Sequence, residues 1–232
     1  FTQWVIENHF AGERPDLPGL GVQLAESVEP WENAKLRLLN GAHSALSYLG
    51  ALAGFEHVHE VVGVPSFRTY VEALWDEVET TVEPPPGLVI ADYRNALMAR
   101  FCNAALMHRT RQIAIDGSQK LPQRLLATAA DRLAAGLGIK ATALGVAAWM
   151  RWQSGLTEGG ERFEVDDPLA AETARRLAEA DNEADQVLSL LRLAAVFPQR
   201  LAADDRFALA VTDAYLSLCR KGAVEAAREA AV

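Results

Sequence analysis

Apolar residues recur three and four positions apart from Pro30 to the C-terminus with little interruption, and this periodicity restricts the chain to a helical body. Strands alternating with helices are missing, so a parallel α/β sheet is excluded as that body. Proline suits a first helical position and glycine a helix stop; Pro30 and Gly54 therefore predict one long helix over 30–53. The spacing predicts further helices over 66–82, 89–101, about 104–115, 122–135, 139–153, 168–180, 184–195 and 204–221, then a short Ala-rich tail. Ser66 is placed as a helix cap. The segment "QSGLTEGGERFEVDD" (153–167) is long enough to be an insertion or a mobile loop. The first residues differ: "QWVIEN" (3–8) and "GVQLAES" (21–27) favour β structure around the turn-rich "AGERPDLPG". The expectation is an all-α multi-helix array with short N-terminal β-segments, divided into a β-leaning lead-in over 1–29 and a helical domain over 30–232.

With 232 residues, half of them apolar, the chain can bury a real core as one large domain or two small ones. A net charge of −9 argues against nucleic acid or an anionic membrane as partner. No apolar run approaches the roughly 20 residues of a membrane span, and no signal-peptide pattern opens the chain. Cys102 and Cys219 read as free, buried thiols of a reducing cytoplasm, with a disulfide between them as the alternative. The "GLG" runs at 19–21 and 136–138 do not continue into a dinucleotide-binding G-x-G-x-x-G.

Within the opening helix, "KLRLLNGAHSALSYLG" (35–50) carries Lys35, Asn40 and His43 beside an apolar stripe of Leu36, Leu39, Ala42, Leu46 and Leu49. On an α-helical wheel of about 100° per residue, His43 falls near 80° and Asn40 near 140° from Lys35, so long side chains could converge. Gly41 leaves room for a close backbone approach. A lysine is a useful base at neutral pH only if its charged form is disfavoured, as burial against the leucine stripe would do. Asn40 could then donate to an oxygen gathering negative charge, and His43 could hold a hydroxyl. The ordinary reading has Lys35 and Arg37 on a solvated edge and His43 as an interfacial histidine. Other clusters read as structural. In "EHVHE" (56–60) the two histidines lie nearly opposite on a helix, a poor metal arrangement. Asp92 reads as a cap, Trp149 and Trp152 as core or interface anchors, and 170–186 as a charged, exposed helix pair.

The lysine, the asparagine five residues on and the histidine three further resemble the signature helix of the polyol-specific long-chain dehydrogenases, the mannitol dehydrogenase and hexuronate reductase family. "QWVIEN" resembles the start of that family's C-terminal half, and "RFCNAALMHRTRQIAIDGSQKLPQR" (100–124) its second block. The resemblance implies a fold like the helical C-terminal domain of mannitol and 6-phosphogluconate dehydrogenases. It also implies an N-terminal Rossmann domain, absent here, that holds most of NAD or NADP. The implied reaction is metal-independent hydride transfer between the nicotinamide and a polyol, ketose or keto-uronate. Lys35 would move the hydroxyl proton, Asn40 steady the oxygen and His43 orient the substrate, and the isolated domain would be inactive. Lys120 matches a substrate-site lysine. Gln112 stands where many members carry an arginine for the substrate's far end, with Arg109 or Arg124 left as candidates to take that part. In "DGSQK" (116–120) a helix is expected to stop at Gly117 and another to start on a Ser118 cap. The enzyme reading requires Lys35, Asn40, His43 and Lys120 to face one concavity near the N-terminal strands. The alternative, a non-catalytic helical ligand-binding or interaction module, requires them dispersed or covered. Either way, apolar surface is expected on the two strands and at the helix start near residue 30.

Overall fold

The computed structural model describes residues 3–232. Two short strands, β1 (Val5–Glu7) and β2 (Gln23–Ala25), pair in parallel, with Val5 opposite Gln23 and Glu7 opposite Ala25. Their crossover holds a 3-10 turn at Pro18–Leu20. A parallel pair is normally covered on both faces, yet Trp4 and Leu20 are 60% and 79% exposed and Phe10 is exposed as well. The expected apolar surface is therefore on the β-unit. It does not extend to the helix start, where Trp31 is buried.

The first long helix runs as α1 (Glu29–Ala34), a π-helical stretch (Lys35–Gly41) and α2 (Ala42–Leu52). There follow α3 (Val58–Gly63), α4 (Pro65–Glu79), α5 (Ile90–Phe101), α6 (Thr110–Ala114) and α7 (Gly117–Leu121). A second π-helical stretch, Pro122–Leu126, leads into α8 (Ala127–Ala134). The rest is α9 (Lys140–Trp152), α10 (Ala170–Glu179), α11 (Glu183–Leu191), α12 (Gln199–Ala202), α13 (Asp205–Lys221) and α14 (Ala223–Ala230). This is the all-α array that the periodicity implies. No helix among the described residues is long and apolar enough to cross a membrane.

Helices α2 and α9 are apolar all round because they form the centre, enclosed on every side. Glycines let them and their neighbours approach. A Cβ on Gly50 would come within 2.2 Å of Val61, and one on Gly145 would crowd Leu125, Tyr70 and Ala45. Hydrogen bonds between elements satisfy some of the buried polar groups: Tyr70 donates to the Ala141 carbonyl at 3.0 Å, and Glu77 accepts from the backbone N–H groups of Ala141 and Thr142.

Local details depart from the sequence reading. The helix expected over 104–115 is a 3-10 turn (Ala104–Leu106), an extended link and the short α6, because Met107 adopts a left-handed conformation (φ 48°). Val64, not Ser66, stands at the N-cap of α4, with Pro65 as first helical residue; Val89, not Asp92, precedes α5. His57 is extended and caps α3 in a capping box with Glu60, so "EHVHE" is only partly helical. The left-handed residue of "DGSQK" is Asp116 (φ 55°), and Gly117 begins α7. Glycine serves close packing there: a Cβ would lie 2.5 Å from both Tyr48 Oη and Trp149 Nε1. Ser118 is no cap; its N–H donates to the Asp167 carboxylate at 2.7 Å. Both cysteines are free, but Cys102 is exposed rather than buried. The 153–167 loop is anchored: Phe163 stacks on Trp152 with centroids 3.9 Å apart, and Glu158 bonds both Leu52 O and Ala223 N.

The two π-helical stretches meet at Gly41, where an added Cβ would sit 2.7 Å from the Arg124 carbonyl oxygen. Gly41→Ala should destabilise the fold by about 1–3 kcal/mol through backbone displacement. Gly138→Ala, at a site with nothing within 4 Å, should be near neutral. Urea unfolding of the two variants checks this; equal stabilities would contradict the close approach.

Candidate active site

A π-helix bonds the N–H of residue i+5 to the carbonyl of residue i, so residues five apart stack along one face. Lys35 and Asn40 are five apart and lie within the π-helical stretch. His43 follows three residues later on α2, again the spacing of one helical face. The wide turn therefore aligns the three side chains more closely than the α-helical projection of the sequence allowed. Two contacts account for it. The Trp75 indole N–H donates to the Leu38 carbonyl at 2.8 Å, bringing an outside donor onto the helical ladder. On another side, Gly41 admits the Arg124 carbonyl.

Lys35 is exposed, not buried against the leucine stripe; Leu38 and Leu39 turn into the core instead. It makes no ion pair or hydrogen bond among the described residues, whereas nearby Arg37 bonds Asp131 at 2.6 Å and the Thr81 carbonyl at 3.0 Å. Asn40 is half-buried and its amide has no partner among the described residues. His43 stacks on Phe101 (centroids 5.3 Å) and tilts against His108 (5.2 Å), and its Nε2 is buried without a hydrogen bond. Burial, reinforced by His108, Arg100 and Arg124, pushes the His43 pKa down to about 3, so the ring is neutral at physiological pH. Burial and Arg100 lower His108 as well.

Arg109 and Gln112 lie elsewhere, on the wall of a cavity of about 730 Å³ shared with Phe55, Trp152, Glu161 and Asp166. Arg109 Nε is 3.6 Å from Glu56, and Arg111 pairs with Glu161 at 2.8 Å. Lys120 is half-buried behind this wall: its Nζ donates to the carbonyl of Ile115, a cavity-lining residue, and burial and Arg124 lower its pKa. None of Lys35, Asn40, His43 and Lys120 lines the cavity, and Lys35 stands on an open face. The link between the two groups is Arg124, whose Nη1 donates to Ser44 Oγ at 2.9 Å beside His43 and whose charge is felt by both His43 and Lys120. Arg100 and His108 fall inside the 100–124 block, but the sequence reading gave neither a part beside His43; tertiary packing of that segment against α2 brings them there.

The mannitol dehydrogenase C-terminal domain family matches residues 27–219. The chain is 44% identical over 226 residues to D-mannonate oxidoreductase of Escherichia coli, covering 97% of this chain and 46% of that protein. It is 37% identical to mannitol 2-dehydrogenase of Phaeosphaeria nodorum, covering 96% of this chain and 39% of that protein. Among solved structures, mannitol 2-dehydrogenase of Pseudomonas fluorescens in ternary complex with NAD and D-mannitol superposes with a TM-score of 0.91 at 33% identity, over 99% of this chain and 46% of that one. A substrate-free D-sorbitol dehydrogenase gives 0.88 at 28% identity, over 97% of this chain and 46% of that one. The chain spans about half the length of the curated relatives it matches.

A histidine held neutral by the fold opposes acid. Between the ordinary value of 6.5 and about 3 the unfolded chain binds a proton that the folded chain refuses. His43 therefore costs stability as pH falls through that window, by up to about 1.4 kcal/mol per pH unit. His43→Gln should be less acid-sensitive than the wild type between pH 6.5 and 4, by unfolding free energy. An NMR titration of the His43 ring near pH 6.5 would contradict the burial account.

Proposed function

The chain belongs to the mannitol dehydrogenase family as its C-terminal domain, and from that premise we propose that it is the substrate-holding half of an NAD(P)-dependent oxidoreductase. The reaction is the interconversion of a secondary alcohol of a polyol or hexonate and the corresponding ketose or keto-uronate. The observation that supports this is a run of polar groups on the first long helix left without hydrogen-bond partners. Lys35 and Asn40, five apart in the π-helical stretch, and His43 Nε2, three residues further on α2, are without a hydrogen bond among the described residues. An interaction module would tie such groups into its packing.

In oxidation, Lys35 Nζ takes the proton of the reacting hydroxyl, and in reduction it returns one to the carbonyl oxygen. The Asn40 amide donates to that oxygen as negative charge develops. The neutral His43 offers Nε2 to a neighbouring hydroxyl, as acceptor or donor according to tautomer. An exposed ammonium is a poor base at neutral pH, so Lys35 needs the dehydration that a covering domain supplies. The parallel β1–β2 pair, with Trp4 and Leu20 exposed, is where such a domain would continue. No strand–glycine turn–helix unit occurs among the described residues, so an N-terminal Rossmann domain would hold the dinucleotide. When bound there, the dinucleotide would supply the acceptor for the hydride of the carbinol carbon. On this reading residues 1–29 are the junction, 30–232 the substrate domain, and the 730 Å³ cavity with Arg109, Gln112 and Lys120 receives the far end of longer substrates.

With the full-length protein and a panel of polyols, ketoses and keto-uronates, NAD(P)H absorbance should reveal turnover of at least one pair. Lys35→Ala should lower kcat about 10²–10⁴-fold, with partial recovery at raised pH or with added amines. Turnover within threefold of the wild type would overturn the acid–base role.

A further inference from the structure

Resting on that reading, we propose that Asp167, at the end of the 153–167 loop, is a positioning residue for Lys120, holding the turn at 116–120 so that Lys120 keeps its place for the substrate at the cavity wall. The turn needs an outside hold. Asp116, at its start, is one of two non-glycine residues with positive φ among the described residues, a conformation that persists only where neighbouring contacts impose it. Asp116 precedes α7 yet makes no side-chain cap to it. At the other end Pro122 has no N–H for the Ser118 carbonyl, so the first turn of α7 is loosely tied to the helical run that follows.

The 153–167 loop supplies that hold. The Asp116 N–H donates to the Asp166 carbonyl at 3.0 Å. The Asp167 carboxylate accepts the Ser118 N–H at 2.7 Å through Oδ2 and the Leu169 N–H at 2.9 Å through Oδ1. It therefore caps α7 from 49 positions away while being fixed on its own side. The Asp116 carbonyl accepts from the N–H groups of Gln119 and Lys120, and Lys120 Nζ closes on the Ile115 carbonyl. Ile115 and Asp166 both line the cavity, so the same contacts place the wall and the lysine. Two other helices are capped from afar, α9 by Glu77 and α14 by Glu158. Of the three, only α7 follows a non-glycine residue with positive φ and carries a side chain of the proposed site. The carboxylate also acts through its charge: burial and Arg124 lower the Lys120 pKa, and Asp116, Asp167 and Asp166 oppose that, favouring the ammonium.

The experiment uses the full-length protein with NADH and with D-fructose and D-fructuronate as substrates, and the variants Asp167→Ala, Lys120→Ala and the two combined. Asp167→Ala should raise KM for the sugar about tenfold, with kcat within about threefold of the wild type. The double variant should be no worse than Lys120→Ala, because a residue acting through the lysine has nothing left to position. Asp167→Asn keeps one carbonyl acceptor; it should recover part of the loss, and it serves in place of Asp167→Ala if that variant folds poorly. An unchanged KM, or losses that multiply in the double variant, overturns the positioning role while leaving the dehydrogenase reading intact. Hydrogen exchange of the 116–121 amides reads the hold without turnover, and Asp167→Ala should speed it. A wild type that turns over no sugar of the panel overturns the dehydrogenase reading. Exchange then decides alone: faster exchange in the variant upholds the hold on the turn, and unchanged exchange overturns it.

Discussion

The indole N–H of Trp75, donating to the Leu38 carbonyl from the neighbouring helix α4, is the contact on which the arrangement of the candidate site turns. A helix that kept its ordinary ladder would rotate Asn40 away from Lys35, since residues five apart do not share a face on an α-helix. With Leu38 O accepting from Trp75 and Gly41 pressed to the Arg124 carbonyl, the chain from Lys35 to Gly41 widens to a π turn, which brings Lys35 and Asn40 nearer to one face. The Trp75 ring is fully buried and lies against Phe101, which in turn stacks on His43. One packed column thus holds the helix geometry and the imidazole together. Its stiffness comes from the same apolar burial that stabilises the domain.

Electrostatics divides the molecule in two. Most of the surface follows the usual pattern of local ion pairs, such as Arg175 with Glu172 and Glu179 on α10, each worth little in solvent. Around His43 the pattern stops: Arg100, Arg124 and Lys120 form no ion pair among the described residues, His43 is held neutral, and burial and Arg100 lower the His108 pKa. A neutral imidazole among cations is costly to protonate and can both give and take a hydrogen bond. That combination suits recognition of hydroxyls and has no evident value for stability.

Much of this was legible in the sequence and some was not. Periodicity from Pro30 onward gave the helical body because a buried helix must repeat its apolar contacts every three to four residues, whatever its neighbours. The spacing of Lys35, Asn40 and His43 drew attention to this helix through its resemblance to a known family, while the α-helical wheel drawn for it does not hold in a π-helical stretch. An α-helical wheel cannot anticipate a π turn caused by a tryptophan 37 residues away. Of the two readings of Lys35, burial against the leucine stripe or a solvated edge, the structure has the second, since the leucines beside it already fill the inner face. The glycine of "DGSQK" was read as a helix stop because glycine commonly is one. Its actual constraint, the tight space beside Tyr48 and Trp149, exists only in three dimensions. Arg100 and His108 belong to the His43 environment through tertiary packing alone, and no spacing rule reaches them.

The central claim is that the π turn presents Lys35 and Asn40 to one oxygen atom. The most direct measurement is a crystal structure of the full-length protein with NAD and a bound hexonate or polyol. The account predicts Lys35 Nζ and Asn40 Nδ2 both within about 3 Å of the same carbinol oxygen, with the turn from Lys35 to Gly41 still π-helical. A substrate whose reacting carbinol is held at Gln112 in the large cavity, with Lys35 left in solvent, would contradict it.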